Sequence, residues 1–252
     1  MFREPMSLKG IYNLYFSPKR KFVRKLRNIL GFAPSNIRLY EMAFRHKSVA
    51  VDLKNGTKSS NERLEFLGDA ILDSVVSDLI FKLYPYKDEG FLTELRSKIV
   101  SRKSLISLSK KMGLNQFVTY DTKNIRAVNM QTNIWGDAFE ALIGAVYLDQ
   151  GYRSCQKFLL DMIIEPHIDL QKLEQTETNF KSRLIEWSQV SLAEVEYRIL
   201  DKETGNNLYH IGVYVDGELQ GKGVDYNKKV AEQLASEQAC SALSILEEHD
   251  SN

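Results

Sequence analysis

Between Asn61 and Asp73 the chain reads N-E-R-L-E-F-L-G-D-A-I-L-D, and this stretch restricts the fold more than any other. Apolar residues at Leu64, Leu67, Ala70, Ile71 and Val75 recur with a helical rather than a strand period. Glu62, Glu65 and Asp69 are set into that helix at spacings that put all three carboxylates on one face. Stacked like charges weaken an isolated helix by a few tenths of a kcal/mol per pair. Two readings stand at this point. Either the acids form a solvated face, or a divalent cation removes their repulsion through hard oxygen ligands. One helix offers too few ligands, so the second reading requires another acidic element.

Asp137 and Glu140, in W-G-D-A-F-E-A-L, supply one. Their neighbours Ala138, Phe139, Ala141, Leu142 and Ile143 are apolar, so this helix face is not a generally solvated one. Carboxylates in such surroundings are costly unless paired or bound to metal. A cage of Glu65, Asp69, Asp137 and Glu140 with water-filled positions suits Mg²⁺, which in a hydrolase turns a water into a nucleophile near neutral pH. A di-iron bundle also uses inward carboxylates but needs Glu-x-x-His pairs. None is present, and the four histidines (His46, His167, His210, His249) are scattered.

The composition, 43% hydrophobic and 27% charged over 252 residues, is that of a globular protein with a substantial core. No apolar run approaches the roughly 18–20 residues of a membrane span. No secretory signal pattern opens the chain, so a cytoplasmic protein without membrane association is expected. Cys155 and Cys240 are isolated in helical patterns and read as reduced core thiols. The net charge of +1 hides an uneven distribution. Residues 1–28 carry eight Lys/Arg against Glu4 alone, and residues 178–252 carry seven against thirteen Asp/Glu. The basic arm either attracts phosphate backbones or is a solvated helix face.

Helical patterns are expected from about Lys19 to Leu30, Ile37 to Phe44, the acidic helix from a Ser60 or Asn61 cap to Tyr84, Glu89 to Ser101, Lys103 to Met112, Asn133 to Leu148 and Arg153 to Ile164. No strand is expected before residue 170, and residues 115–130 read as a surface loop. The polar run 171–178 reads as a linker. Beyond it come a helix from Phe180, strand patterns at Val195–Asp201, Tyr209–Val215 and Glu218–Val224, and an amphipathic helix from Lys228 to Leu246. Gly205-Asn206-Asn207 and Asp216-Gly217 mark the turns, the latter a two-residue hairpin signal.

N-E-R-L-E-F-L-G-D-A-I-L strongly resembles the signature of ribonuclease III endonucleases, and G-D-A-F-E-A-L-I-G-A-V-Y-L-D resembles that family's second acidic motif. The α-β-β-β-α tail resembles a double-stranded-RNA-binding domain, so the likeness runs from about residue 20 to residue 247. It implies an all-α endonuclease domain (19–170), a linker (171–178) and a small α+β RNA-binding domain (179–248). It also implies a homodimer that hydrolyses double-stranded RNA with Mg²⁺-activated water, Mn²⁺ able to substitute, leaving 5′-phosphates and 3′-hydroxyls, as in rRNA precursor and mRNA processing. Glu65, Asp69, Asp137 and Glu140 would be metal ligands, Asp69 and Glu140 the catalytic pair, and Glu62 a supporting acid. Phe66 would pack into the partner subunit, against the alternative that it lies in its own core. Arg96 and Lys98 resemble residues lining the RNA valley.

In the tail, Glu186 stands where the family makes a groove contact, and Asn227, Lys228 and Lys229 would meet phosphates at a helix N-terminus, with Lys222 beside them. Two departures stand out. The first inter-strand loop reads T-G-N-N-L-Y-H without the family's Gly-Pro-x-His-like element, and the domain is acidic, so a modest RNA affinity is expected. A non-cleaving duplex-binding paralogue is the competing reading, but it would be expected to lack a carboxylate, and all four are present.

Overall fold

The structure, a computed structural model, describes residues 7–52, 56, 58–125, 128–175, 180–201 and 208–245. The chain divides into two compact units, Met1–Glu174 and Gln175–Asn252.

The first unit is built from helices α1 (Leu8–Tyr15), α2 (Arg20–Leu30), α3 (Ile37–Ala43), α4 (Glu62–Leu83), α5 (Glu89–Ile99), α6 (Arg102–Lys111) and α7 (Val128–Phe158), followed by the short α8 (Glu165–His167) and α9 (Leu170–Gln175). Local chemistry sets their ends. Gly31 closes α2 in the left-handed region at φ 78°, where its N–H reaches the Arg27 carbonyl at 2.9 Å. Asp88 caps α5 by accepting from the Phe91 N–H at 2.8 Å, and Ser101 caps α6. Tyr84, the residue before Pro85, ends α4 out of the helical region.

Helix α1 lies before the first helical pattern expected from the sequence, which begins at about Lys19. A two-residue hairpin, β1 (Val51–Asp52) with β2 (Lys58–Ser59), also corrects the expectation of no strand in this half. The two helices expected at 133–148 and 153–164 are present within α7, separated by a non-helical residue at Gly151 (φ 79°, ψ 171°), and the second widens to a π-helix over Leu159–Ile164. Part of the expected linker is helical instead. α9 begins at Leu170 and is tied to the first unit, where the Lys98 ammonium donates to the Leu173 carbonyl at 3.2 Å and Leu173 packs on the core. Residues 176–178 of that linker lie outside the described residues.

α4 and α7 are the central pair. Leu64, Leu72, Val75, Val76 and Ile80 on one, and Ala138, Phe139, Ala141, Leu142, Ile143, Ala145 and Val146 on the other, are all buried. Their contact is closest where two glycines meet the opposite backbone. A Cβ added at Gly68 would lie 1.8 Å from the Glu140 carbonyl oxygen, and one at Gly144 would lie 2.3 Å from the Leu64 carbonyl oxygen. Only a residue without a side chain permits that approach.

The second unit is α10 (Phe180–Ser191), the antiparallel sheet β3 (Val195–Asp201), β4 (Tyr209–Val215), β5 (Glu218–Asp225), and α11 (Lys228–Ala242). The strands and helices follow the expected order. Asp216 and Gly217 both have positive φ, 50° and 84°, the geometry of a type I′ hairpin. Leu184, Ile211, Val213, Ala231, Ala235 and Ala239 form its core. The expected turn at 205–207 and most of the departing loop lie outside the described residues. His210 falls on β4, its Nε2 buried without a hydrogen-bond partner. Both cysteines are buried and outside any disulfide, as expected.

Candidate metal centre

The close approach at Gly68 and Gly144 sets one turn of α4 against one turn of α7. Glu65 lies three residues before Gly68 and Asp69 directly after it, while Asp137 and Glu140 stand on the facing turn of α7. Carboxylate oxygens of Glu65, Asp137 and Glu140 consequently lie within 4.8 Å of one another. Asp69 is not in that tightest set. It is exposed on the rim of the same open cavity, of about 430 Å³, that the other three line.

The electrostatics register the crowding. Glu140 is pushed up from 4.5 to about 7, first by burial and then by the charges of Asp69 and Glu65. Glu65 is raised by burial and by Asp137. A half-buried carboxyl pushed up by burial and by two like charges marks a site short of positive charge. Hard oxygens converging in this way fit a hard divalent cation.

Part of the missing charge is supplied by a residue the sequence reading did not single out. Arg102, the first residue of α6, donates through Nη1 to Asp137 Oδ1 as an ion pair. The guanidinium is stabilised by Asp137 most strongly, and also by Glu140 and Glu65. Nothing local in S-R-K-S marks it, because it reaches the cluster only through the packing of α6 on α7. His46 and Lys47 also line the cavity unforeseen. Burial and Lys47 lower the His46 pKa, and its Nδ1 lies 2.8 Å from the Ser48 hydroxyl.

Glu62 lies on the cavity wall, held by Ser60 Oγ at 3.2 Å and by Lys47 Nζ at 3.4 Å. Asn61, anticipated as an N-cap, does not cap α4 with its side chain. It is 1% exposed, and its Nδ2 has no partner. Phe66 also lines the cavity and is 81% exposed, which overturns the reading of it as core of its own subunit. Asp73 is separate, with one buried oxygen unpaired and its pKa raised by burial and by Asp69. Lys98 departs from its expected role. It is buried, pairs with Glu94 at 2.7 Å and holds α9, so it does not line an RNA surface. Arg96 donates to Ser77 Oγ at 3.2 Å.

In the second unit Glu186, Lys222, Lys228 and Lys229 are exposed. Asn227 is committed to capping α11, accepting from the Lys229 N–H at 2.9 Å, which keeps the helix N-terminus and its two lysines at the surface. Lys181 is paired with Glu232 at 2.6 Å and lies over the Tyr197 ring.

A family profile described as Ribonuclease-III-like matches residues 36–167, and one described as Double-stranded RNA binding motif matches residues 180–243. The chain is 47% identical over 228 residues to Ribonuclease 3 of Bacteroides fragilis, covering 89% of this chain and 77% of that protein. It is 40% identical over 238 residues to Ribonuclease 3 of Zunongwangia profunda, covering 94% and 97%. Among solved structures, the nuclease domain of ribonuclease III from Campylobacter jejuni matches with a TM-score of 0.51 at 33% identity, covering 59% of this chain and 99% of that one. A second structure of that nuclease domain, with a TM-score of 0.51 at 32% identity, covers 57% and 98% and is described as flexible in a region involved in dimer formation. Among the described residues no helix is long and apolar enough to cross a membrane. Nuclease unit, RNA-binding unit and relatives agree: the chain belongs to the ribonuclease III family, whose acidic, metal-dependent centre cuts double-stranded RNA.

Proposed function

We propose that the α4–α7 cavity is the hydrolytic centre of a Mg²⁺-dependent enzyme, with Mn²⁺ able to replace Mg²⁺. The observation that carries this is the convergence of Glu65, Asp137 and Glu140 oxygens within 4.8 Å, with Asp69 close enough to raise Glu140. Glu65, Asp69, Asp137 and Glu140 are the residues that would hold the cation, and Asp69 and Glu140 are the pair assigned to catalysis. When bound, the cation would bring the pKa of a water toward neutrality and offset charge on the attacked phosphate.

The protein groups divide the remaining work. Arg102 neutralises Asp137 in the cation-free protein and, once replaced there, leaves its guanidinium beside the cavity for a phosphate oxygen. Glu62, tethered by Ser60 and Lys47, supports the cluster from the wall. Asn61 lines the same cavity, its amide nitrogen buried without a partner. Hydrolysis would leave 5′-phosphate and 3′-hydroxyl ends on both strands, as in processing of rRNA precursors and mRNA in the cytoplasm.

The chemistry is assigned to residues 19–170 and the grip on RNA to residues 179–248. In the latter, Lys222, Asn227, Lys228 and Lys229 would face phosphates and Glu186 a minor groove. The enzyme is assigned as a homodimer, with exposed Phe66 as a contact. The dimer-forming region described for the Campylobacter jejuni domain supports this assignment.

The test is to incubate the protein with long duplex RNA, with and without Mg²⁺, and size the products. Short duplex fragments only with Mg²⁺ are expected. Glu140→Gln should keep duplex binding and lose cleavage; substantial Mg²⁺-dependent cutting by that variant would overturn the assignment.

A further inference from the structure

The Ribonuclease-III-like match begins at residue 36, and the described chain before it builds a surface that the cleavage centre does not use. Helix α1 is fixed to the domain. Leu14 is buried with Val23 and Ala33, and the buried Asn13 side chain donates to the carbonyl oxygens of Pro34 and Ser35, both at 2.9 Å. Ser7 caps the helix through the Gly10 N–H at 3.0 Å. With that inner face committed, the outer face carries Leu8, Tyr12, Tyr15 and Phe16, which are 87%, 57%, 52% and 70% exposed. The Tyr12 and Phe16 rings lie near-parallel, 6.1 Å apart at 27°.

A short turn separates Phe16 from α2, where Arg20, Lys21, Arg24, Lys25 and Arg27 are all exposed. None of the five makes an ion pair among the described residues, whereas the neighbouring Lys19 is paired with Glu41. This arrangement works against the helix itself. Arg20/Arg24 and Lys21/Lys25 are like charges one turn apart, and the first turn places two cations at the positive end of the helix dipole with no side-chain cap. A bound polyanion relieves each of these costs at once.

The rings indicate which polyanion. Duplex bases are stacked and paired, and the deep groove of A-form RNA closes them off, so they cannot lie on a protein ring. Unpaired bases can, and single-strand sites combine a cationic track for the backbone with aromatic platforms for the bases. We propose that the α1–α2 surface binds single-stranded RNA that flanks the duplex being cut, phosphates against the α2 cations and a base against Tyr12 and Phe16. The proposal rests on the reading of this chain as a duplex-RNA nuclease.

The experiment uses the full chain in EDTA, so that binding is measured without cleavage, and two labelled probes: a blunt duplex and the same duplex with a single-stranded extension. The extension is expected to tighten wild-type binding at least about tenfold. Arg20→Gln, Lys21→Gln, Arg24→Gln and Lys25→Gln together should abolish that gain and lower the salt slope by about 3, at roughly 0.7 per phosphate contact. Tyr12→Ser with Phe16→Ser should lower the gain with little change in slope. Blunt-duplex affinity, the measure of the function proposed above, should be the same in all three proteins, and matching melting curves would show that these exposed changes leave the fold intact. An extension that adds nothing to wild-type binding, or variants that retain the gain, would overturn the proposal. So would wild-type binding to vesicles containing phosphatidylglycerol without any extension gain, which would assign the surface to an anionic membrane.

Discussion

The Gly68 Cα faces the carbonyl oxygen of Glu140 so closely that an added Cβ would sit 1.8 Å from it. The same contact fixes the distance between the acids of α4 and those of α7. Gly68→Ala is therefore expected to act twice. Backbone overlap cannot be absorbed by a rotamer change, so the helices must separate, at a cost of about 1–3 kcal/mol or more. The separation should also widen the Glu65–Asp137–Glu140 cluster. A lower Tm together with weaker Mg²⁺ binding, read by the rise in Tm on adding Mg²⁺, is the expected result. Loss of stability with unchanged Mg²⁺ response would disconnect the packing from the site.

The raised Glu140 pKa has a sign that can be checked. Its folded-state value of about 7 lies above the ordinary 4.5, so the folded protein takes up the proton more readily than the unfolded one. This group makes the cation-free protein more stable as pH falls from about 7 towards 4.5, and the benefit is lost as pH rises through 7. Glu65 is shifted in the same direction. Thermal melts in EDTA should show a Tm difference between wild type and Glu140→Gln that narrows on going from pH 7.5 to pH 5.5. Saturating Mg²⁺ should favour the ionised form and stabilise wild type more at the higher pH.

If Asp137 holds the cation as proposed, Arg102 and that cation compete for it. Replacing Arg102 by Gln should lower the Tm in EDTA, because the acids lose a partner, and should enlarge the Mg²⁺-induced rise. The half-exposed pair puts the expected effect at about 0.2–1 kcal/mol, a shift of up to a few-fold in Mg²⁺ affinity by calorimetry. Weaker Mg²⁺ binding in the variant would mean that the arginine assists the cation instead.

What the sequence made legible and what it hid divide along physical lines. The α4 acids were readable because helical period and spacing are local properties, and the α7 acids because charge stood among apolar neighbours. Arg102, His46 and the unpaired Asn61 amide reach the cavity from segments whose local pattern carries no sign of it. Asp69 was grouped with three partners, yet its exposed place on the rim depends on the turn of α4, which spacing gives only to within a turn. Helix α1 is eight residues long, too short to be secured by propensity, and is held by Asn13 reaching across to Pro34 and Ser35. Lys98 looked like a valley cation because its burial, with Glu94 and the Leu173 carbonyl as partners, is a tertiary fact.

Phe66 offers the most direct test of assembly. Burying a phenylalanine side chain is worth about 1.5–3 kcal/mol, and an 81% exposed one on the wall of an acidic cavity contributes almost none of that within its own subunit. Phe66→Ala should then leave the melting of an isolated subunit nearly unchanged. If a partner covers the ring, the same substitution should weaken the dimer by about tenfold or more, one factor of ten corresponding to about 1.4 kcal/mol. Sedimentation across a dilution series separates the two effects, since only the dimer depends on concentration. A variant that dimerises as tightly as wild type would remove Phe66 from the interface.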